Sequence, residues 1–121
     1  MRQSIRIRPL NSILFIEDVE GGQVPEITRN ERLWFTPSCI CIGCLMEQDG
    51  ETEVTLGASN EIDIGAPPVF DGQLETPGRE VVVSTVEGKK LLCMPVSEIR
   101  TRVRIWANRA IEPDRVLVGL G

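Results

Sequence analysis

The sequence predicts an all-β protein: a single-domain antiparallel sandwich, or partly open barrel, of about eight or nine short strands with little or no helix. Three observations predict it. Apolar and polar residues alternate with period two in several short runs, the spacing that buries one face of a strand. Clusters of Gly, Pro, Asn and Asp separate those runs. No heptad, internal repeat or low-complexity tract competes with that pattern. The 121 residues fit one domain over 1–121. A chain of that length buries roughly two thirds of its unfolded surface and needs no disulfide or metal to fold.

The elements follow in order. Ser4-Ile5-Arg6-Ile7-Arg8 alternates and reads as a half-buried strand. Ser12 to Ile16 is a short apolar run and a second strand, and 18–25 is a loop by composition. Glu31 to Thr36 is a third strand, stopped by Pro37. Ser38 to Gln48 and Glu51 to Gly57 flank Asp49-Gly50, which predicts a two-residue hairpin because Asp and Gly tolerate positive φ. That register pairs Gln48 with Glu51, Leu45 with Val54 and Gly43 with Leu56. It also places Cys39 and Cys41 on the face of Val54 and Leu56. Residues 58–78 read as a long irregular connection, with a short edge strand at 62–64; connections of that length are often functional. Glu80 to Val86 and Lys89 to Val96 form a second hairpin around Glu87-Gly88. Thr101 to Trp106 alternates again, and Arg115 to Leu120 is an apolar, central strand.

Composition narrows function. The chain has no histidine, which removes Ser-His and Cys-His dyads, the histidine general base and most catalytic zinc sites. The net charge of −5 is a sum of three unlike parts: 0 over 1–46, −8 over 47–80 and +3 over 81–121. An acidic total works against indiscriminate nucleic-acid binding, so a nucleic-acid partner is not favoured, though a local basic patch remains open. No run of apolar residues is long enough for a membrane helix, and Met1 to Arg6 lacks the apolar core of a secretion signal, so a cytoplasmic protein without a membrane partner is expected.

Two clusters invite a metal. Cys39, Cys41 and Cys44, with Cys93, offer four thiolates, but strong zinc signals come as two close pairs, and strand parity turns Cys44 away from Cys39 and Cys41. A redox role for Cys41-x-x-Cys44 needs a helix N-terminus, which this segment does not provide. Buried reduced thiols of a core are the plainer expectation. Asp49, Glu51 and Glu53 cluster at the expected hairpin turn, with Glu61 and Asp63 beyond; they read as a cation site, a catalytic carboxylate pair or a solvated, aggregation-resistant hairpin. No catalytic residue and no cofactor is assigned.

Parity points to a different surface. Opposite the inward Ile5, Ile7, Leu33, Phe35, Val103 and Ile105 stand Arg6, Arg8, Arg32, Trp34, Arg102, Arg104 and Trp106. Arg-x-Trp occurs twice, and Trp with Arg marks interface hot spots. The competing readings are Trp buried in the core and Arg stems folded over Trp as an internal lid. The function expected is a non-enzymatic protein-binding module of the inhibitor, immunity or adaptor type, using the Arg/Trp face and the acidic 47–80 segment. The alternative is a small-ligand or nucleic-acid-binding β domain that stacks rings on Trp34 and Trp106. A carboxylate- or thiolate-based enzyme is the third reading. The partner is another protein, with a homodimer using the same face also open.

Overall fold

A computed structural model describes residues 2–62 and 64–121. Among the described residues, ten strands run in the order β1 (Gln3–Ile7), β2 (Ile13–Asp18), β3 (Leu33–Thr36), β4 (Cys39–Gly43), β5 (Thr52–Ala58), β6 (Phe70–Glu75), β7 (Glu80–Ser84), β8 (Lys90–Pro95), β9 (Arg100–Ala107) and β10 (Arg115–Leu120). One four-residue helical turn, α1 (Ser59–Ile62), follows β5. The strands make two five-stranded sheets, ordered β1-β5-β10-β9-β6 and β3-β4-β2-β7-β8. The protein is thus an all-β sandwich, antiparallel except where β10 lies parallel to β5.

Alternation explains the core. Leu14 and Ile16 of β2, Ile40 and Ile42 of β4, and Val81 and Val83 of β7 meet Val54, Leu56, Val103, Ile105, Val116 and Val118 of the other sheet. These are β-branched and leucine side chains on the inner faces of strands, and full burial of each contributes about 1.5–3 kcal/mol. The β7–β8 hairpin forms as its sequence predicts. The Gly88 amide donates to the Thr85 carbonyl at 2.9 Å, the Thr85 amide donates to Lys89, and Gly88 takes φ +82°, which glycine adopts without strain.

The expected hairpin over 38–57 does not form. β4 and β5 belong to opposite sheets, and residues 44–51 cross between them. Asp49 ends a short 3-10 turn, and only Gly50 takes positive φ, so the two positive-φ positions of a mirror turn are absent. The physical reason is burial: Ile40 and Ile42 on one strand, and Val54 and Leu56 on the other, can all face one core only if the strands lie in facing sheets. Cys39 and Cys41 therefore share no face with Val54 and Leu56; they lie on the outer side of their sheet with Ile13.

The 58–78 segment is more ordered than its composition suggests. It contains α1 and the edge strand β6, which follows the expected 62–64 strand rather than coinciding with it. Asp63, counted among the loop carboxylates, lies outside the described residues, as does Met1. At the end of the sandwich where β6 finishes, the buried Asp18 carboxylate accepts the amides of Glu20 and Gly78, both at 3.0 Å, and Thr76 Oγ1 donates to the Glu98 carbonyl at 2.7 Å. These bonds fix the turns flanking β6 and β7.

Candidate functional site

Four of the predicted site residues share one surface. Arg6, Arg102, Arg104 and Trp106 all point from the outer face of the β1-β5-β10-β9-β6 sheet. They are not one cluster. Arg6 sits in register with Glu53 and Arg115 at the end where β5 and β10 begin, and Glu53 lies 3.6 Å from Arg6 and 3.4 Å from Arg115. Arg102 sits at the far end, where its guanidinium forks onto Asp71 with bonds of 2.9 and 2.7 Å. That fork holds the Asp71 carboxyl below the usual aspartate range and raises Arg102 in turn.

Trp106 faces outward by parity yet is only 2% exposed. The chain after β5 returns across this face: α1 packs on β10, and the Ala66 carbonyl accepts the Trp106 Nε1 proton at 2.8 Å. The Arg104 guanidinium lies 5.8 Å from the Trp106 ring centre. The covered-tryptophan reading therefore holds here, because the irregular connection is the cover.

Trp34 stands on the other sheet. It packs against the cluster of Ile13, Cys39 and Cys41, and its Nε1 donates to Thr28 at 3.1 Å. A single Arg/Trp face joining Trp34 to Trp106 is thus overturned, since β3 and β9 lie in opposite sheets. Stacking of one ligand on both rings fails for the same reason. Arg32 precedes β3, and Arg8 follows β1 with its guanidinium on the Glu47 carbonyl at 3.2 Å.

The cysteines divide as parity requires. Cys39 and Cys41 have sulfurs 3.9 Å apart on the outer side of β4, Cys44 enters the core between the sheets, and Cys93 is exposed on β8. The adjacent Cys41, burial and the Glu17 charge all push the Cys39 thiol up. Burial alone raises Cys44, to about 11. The four thiols do not converge. Asp49 lies in the crossover turn and is separated from Glu53, which two arginines hold. Among the described residues, no group of three or more Cys, Asp or Glu could hold a metal ion. The acidic segment is dispersed as well: Glu47 and Asp49 lie at one end of the sandwich, Glu61 and Glu80 at the other.

The surface that parity missed lies at the flank where β3 and β6 are both edge strands. Phe35 and Phe70 both sit on inner faces, but among the described residues no further strand closes the sandwich beyond them. Phe35 is consequently 62% exposed rather than buried, and its ring meets Phe70 edge-on at 5.2 Å between centres. Gly72, the next inward position of β6, contributes no side chain, and a Cβ there would come within 2.8 Å of the Phe70 ring. A cleft of about 310 Å³ opens between Phe35, Thr36 and Pro37 on one wall and Phe70 to Gln73 on the other. Val69 beside it is 52% exposed. The sequence signals were present: a four-residue strand halted by proline, and a glycine within Phe70-Asp71-Gly72-Gln73, both marks of sheet edges.

No protein-family model matches the chain, and no curated protein matches it in sequence. Solved structures do resemble it. ComJ from Bacillus subtilis, described as an inhibitor of the DNA-degrading activity of NucA, superposes with a TM-score of 0.70 at 7% identity, covering 98% of this chain and 93% of that one. A structure described as crocagin biosynthetic gene J superposes with a TM-score of 0.60 at 12% identity, covering 99% of this chain and 96% of that one. At such identities the likeness shows a shared fold.

Proposed function

We propose that this chain is a non-enzymatic protein-binding module of the inhibitor type, and that it meets its partner at the β3/β6 flank, with Arg102 at the rim. The observation that carries the reading is Phe35, 62% exposed and set edge-on against Phe70 at a cleft between two sheet edges. Large exposed aromatic groups next to arginine are the residue types that dominate interface energetics. The likeness to ComJ over nearly the whole chain supports the inhibitor type, since that protein acts by restraining a nuclease. The Arg/Trp surface contributes Arg102 to this reading, while the buried Trp106 serves the fold.

The test is affinity capture followed by titration. The wild-type chain is expected to retain one protein stoichiometrically and to lower that protein's activity as it is added. Phe35→Asp removes an exposed ring and leaves the core intact, so it should weaken that complex by 2 kcal/mol or more, about thirtyfold. Wild-type affinity in a folded Phe35→Asp variant would overturn the proposal.

A further inference from the structure

We infer that the β3/β6 flank takes an extended segment of its protein partner as an added strand on β6, and that this segment is apolar and basic. The inference rests on the binding surface proposed above and specifies what enters it.

The backbone of β6 supplies the first argument. The Thr76 amide donates to the Ile99 carbonyl, which sets the even-numbered residues of β6 as those that exchange hydrogen bonds with β9. The odd-numbered residues face the other way, and the Glu75 amide indeed turns from β9 to the Pro37 carbonyl at 2.9 Å. Asp71 and Gln73 therefore present their amides and carbonyls along the outer edge of the sheet, where no strand pairs with them. An incoming strand would find two donors and two acceptors at the spacing a ladder requires.

The side chains supply the second. An apolar residue of that strand would enter the cleft between Phe35–Pro37 and Phe70–Gln73 and cover Phe35 and Phe70. A second groove, on the other side of Phe35, runs between Leu33–Thr36 and the preceding loop. The charged residues lining the two grooves are Glu26, Glu31 and Asp71, and neither groove is lined by lysine or arginine. Arg102 already offsets Asp71, so Glu26 and Glu31 remain to attract a basic residue of the incoming segment. Strand addition thereby gives affinity through the backbone and selectivity through one pocket and one pair of carboxylates.

Random linear peptides displayed on phage, selected on the intact chain, test this. Selected peptides should combine a large apolar residue with Lys or Arg. Their binding should slow hydrogen exchange of the Asp71 and Gln73 amides. Gln73→Pro removes one edge donor without touching the β9 ladder and should weaken binding several-fold to about tenfold, whereas Gln73→Ala should bind as wild type. Phe35→Asp should abolish binding. An acidic consensus, no selected peptide, or unchanged exchange at Asp71 and Gln73 would each overturn the inference, and the exchange readout does so even if Gln73→Pro fails to fold. A partner protein lost on Phe35→Asp while no linear peptide binds would leave the surface standing and remove strand addition alone. A captured partner indifferent to Phe35→Asp would remove the surface itself.

Discussion

Trp106 separates a recognition residue from a folding residue, and its replacement gives a large, readable effect. A tryptophan buries about 150–250 Å² of side chain, which at roughly 25 cal/mol per Å² sets an upper figure of about 4–6 kcal/mol. Measured truncations of buried aromatics to alanine cost about 3–5 kcal/mol. Trp106 is 2% exposed, so Trp106→Ala should cost about 4 kcal/mol by the same scale. At about 3–6 °C per kcal/mol for a domain of this size, the melting temperature falls by about 12–24 °C. Trp106→Phe keeps an aromatic ring but leaves the Ala66 carbonyl without its 2.8 Å donor, at about 1–2 kcal/mol. Circular dichroism melts of the two variants give these values. Hydrogen exchange should rise over 64–69 in both, since that segment loses its anchor. In a Trp34→Phe background, the remaining tryptophan should emit in the blue and resist iodide. A Trp106→Ala melt within about 3 °C of wild type, with iodide quenching the wild-type ring, would refute the assignment of Trp106 to the fold.

The remaining predictions concern charge and thiols. The Arg102 fork depresses the Asp71 pKa, so the ion pair stabilises the fold fully above the ordinary aspartate pKa and ceases to do so as the pH falls through the depressed value. Arg102→Gln should return the Asp71 carboxyl midpoint upward in an NMR titration; an unmoved midpoint contradicts the geometry. A thiol reagent should modify Cys93 ahead of the three buried cysteines in the native chain, although the Glu80 carboxylate beside it raises its thiol, and all four cysteines after unfolding. Two or more fast thiols would mean that the cover over Cys39 and Cys41 opens readily. Cys44 should remain unreactive to alkylation until the pH nears its raised value of about 11.

Several elements were legible for a physical reason that is local. Ser4–Arg8 and Thr101–Trp106 carry the period-two pattern, Arg115–Leu120 is a short apolar run, and each matches a strand of the sandwich. The Glu87-Gly88 turn was legible because glycine at positive φ satisfies a short loop by itself. Asp49-Gly50 carried an equal signal and failed. Its flanking strands each bury two large apolar residues, and facing sheets bury all four in one core, where the expected hairpin register would turn Ile40 and Ile42 to the face opposite Val54 and Leu56. Local turn chemistry offers about a kcal/mol, whereas four buried side chains offer several times that.

The candidate site divides along the same line. Sequence alone determined which side of β1, β3 and β9 a residue occupies, though it set Cys39 and Cys41 of β4 on the wrong face. Arg102 and Trp106 do face away from the core, and Cys44 does turn from Cys39 and Cys41. Tertiary structure alone decided what lies over each side. Trp106 is covered because the chain after β5 folds back across its sheet, and Phe35 is bare because β3 and β6 are the last strands on their flank. Side-chain direction follows from the two-residue repeat of one strand, but exposure depends on neighbours distant in sequence, and strand order is set by the burial of the whole core.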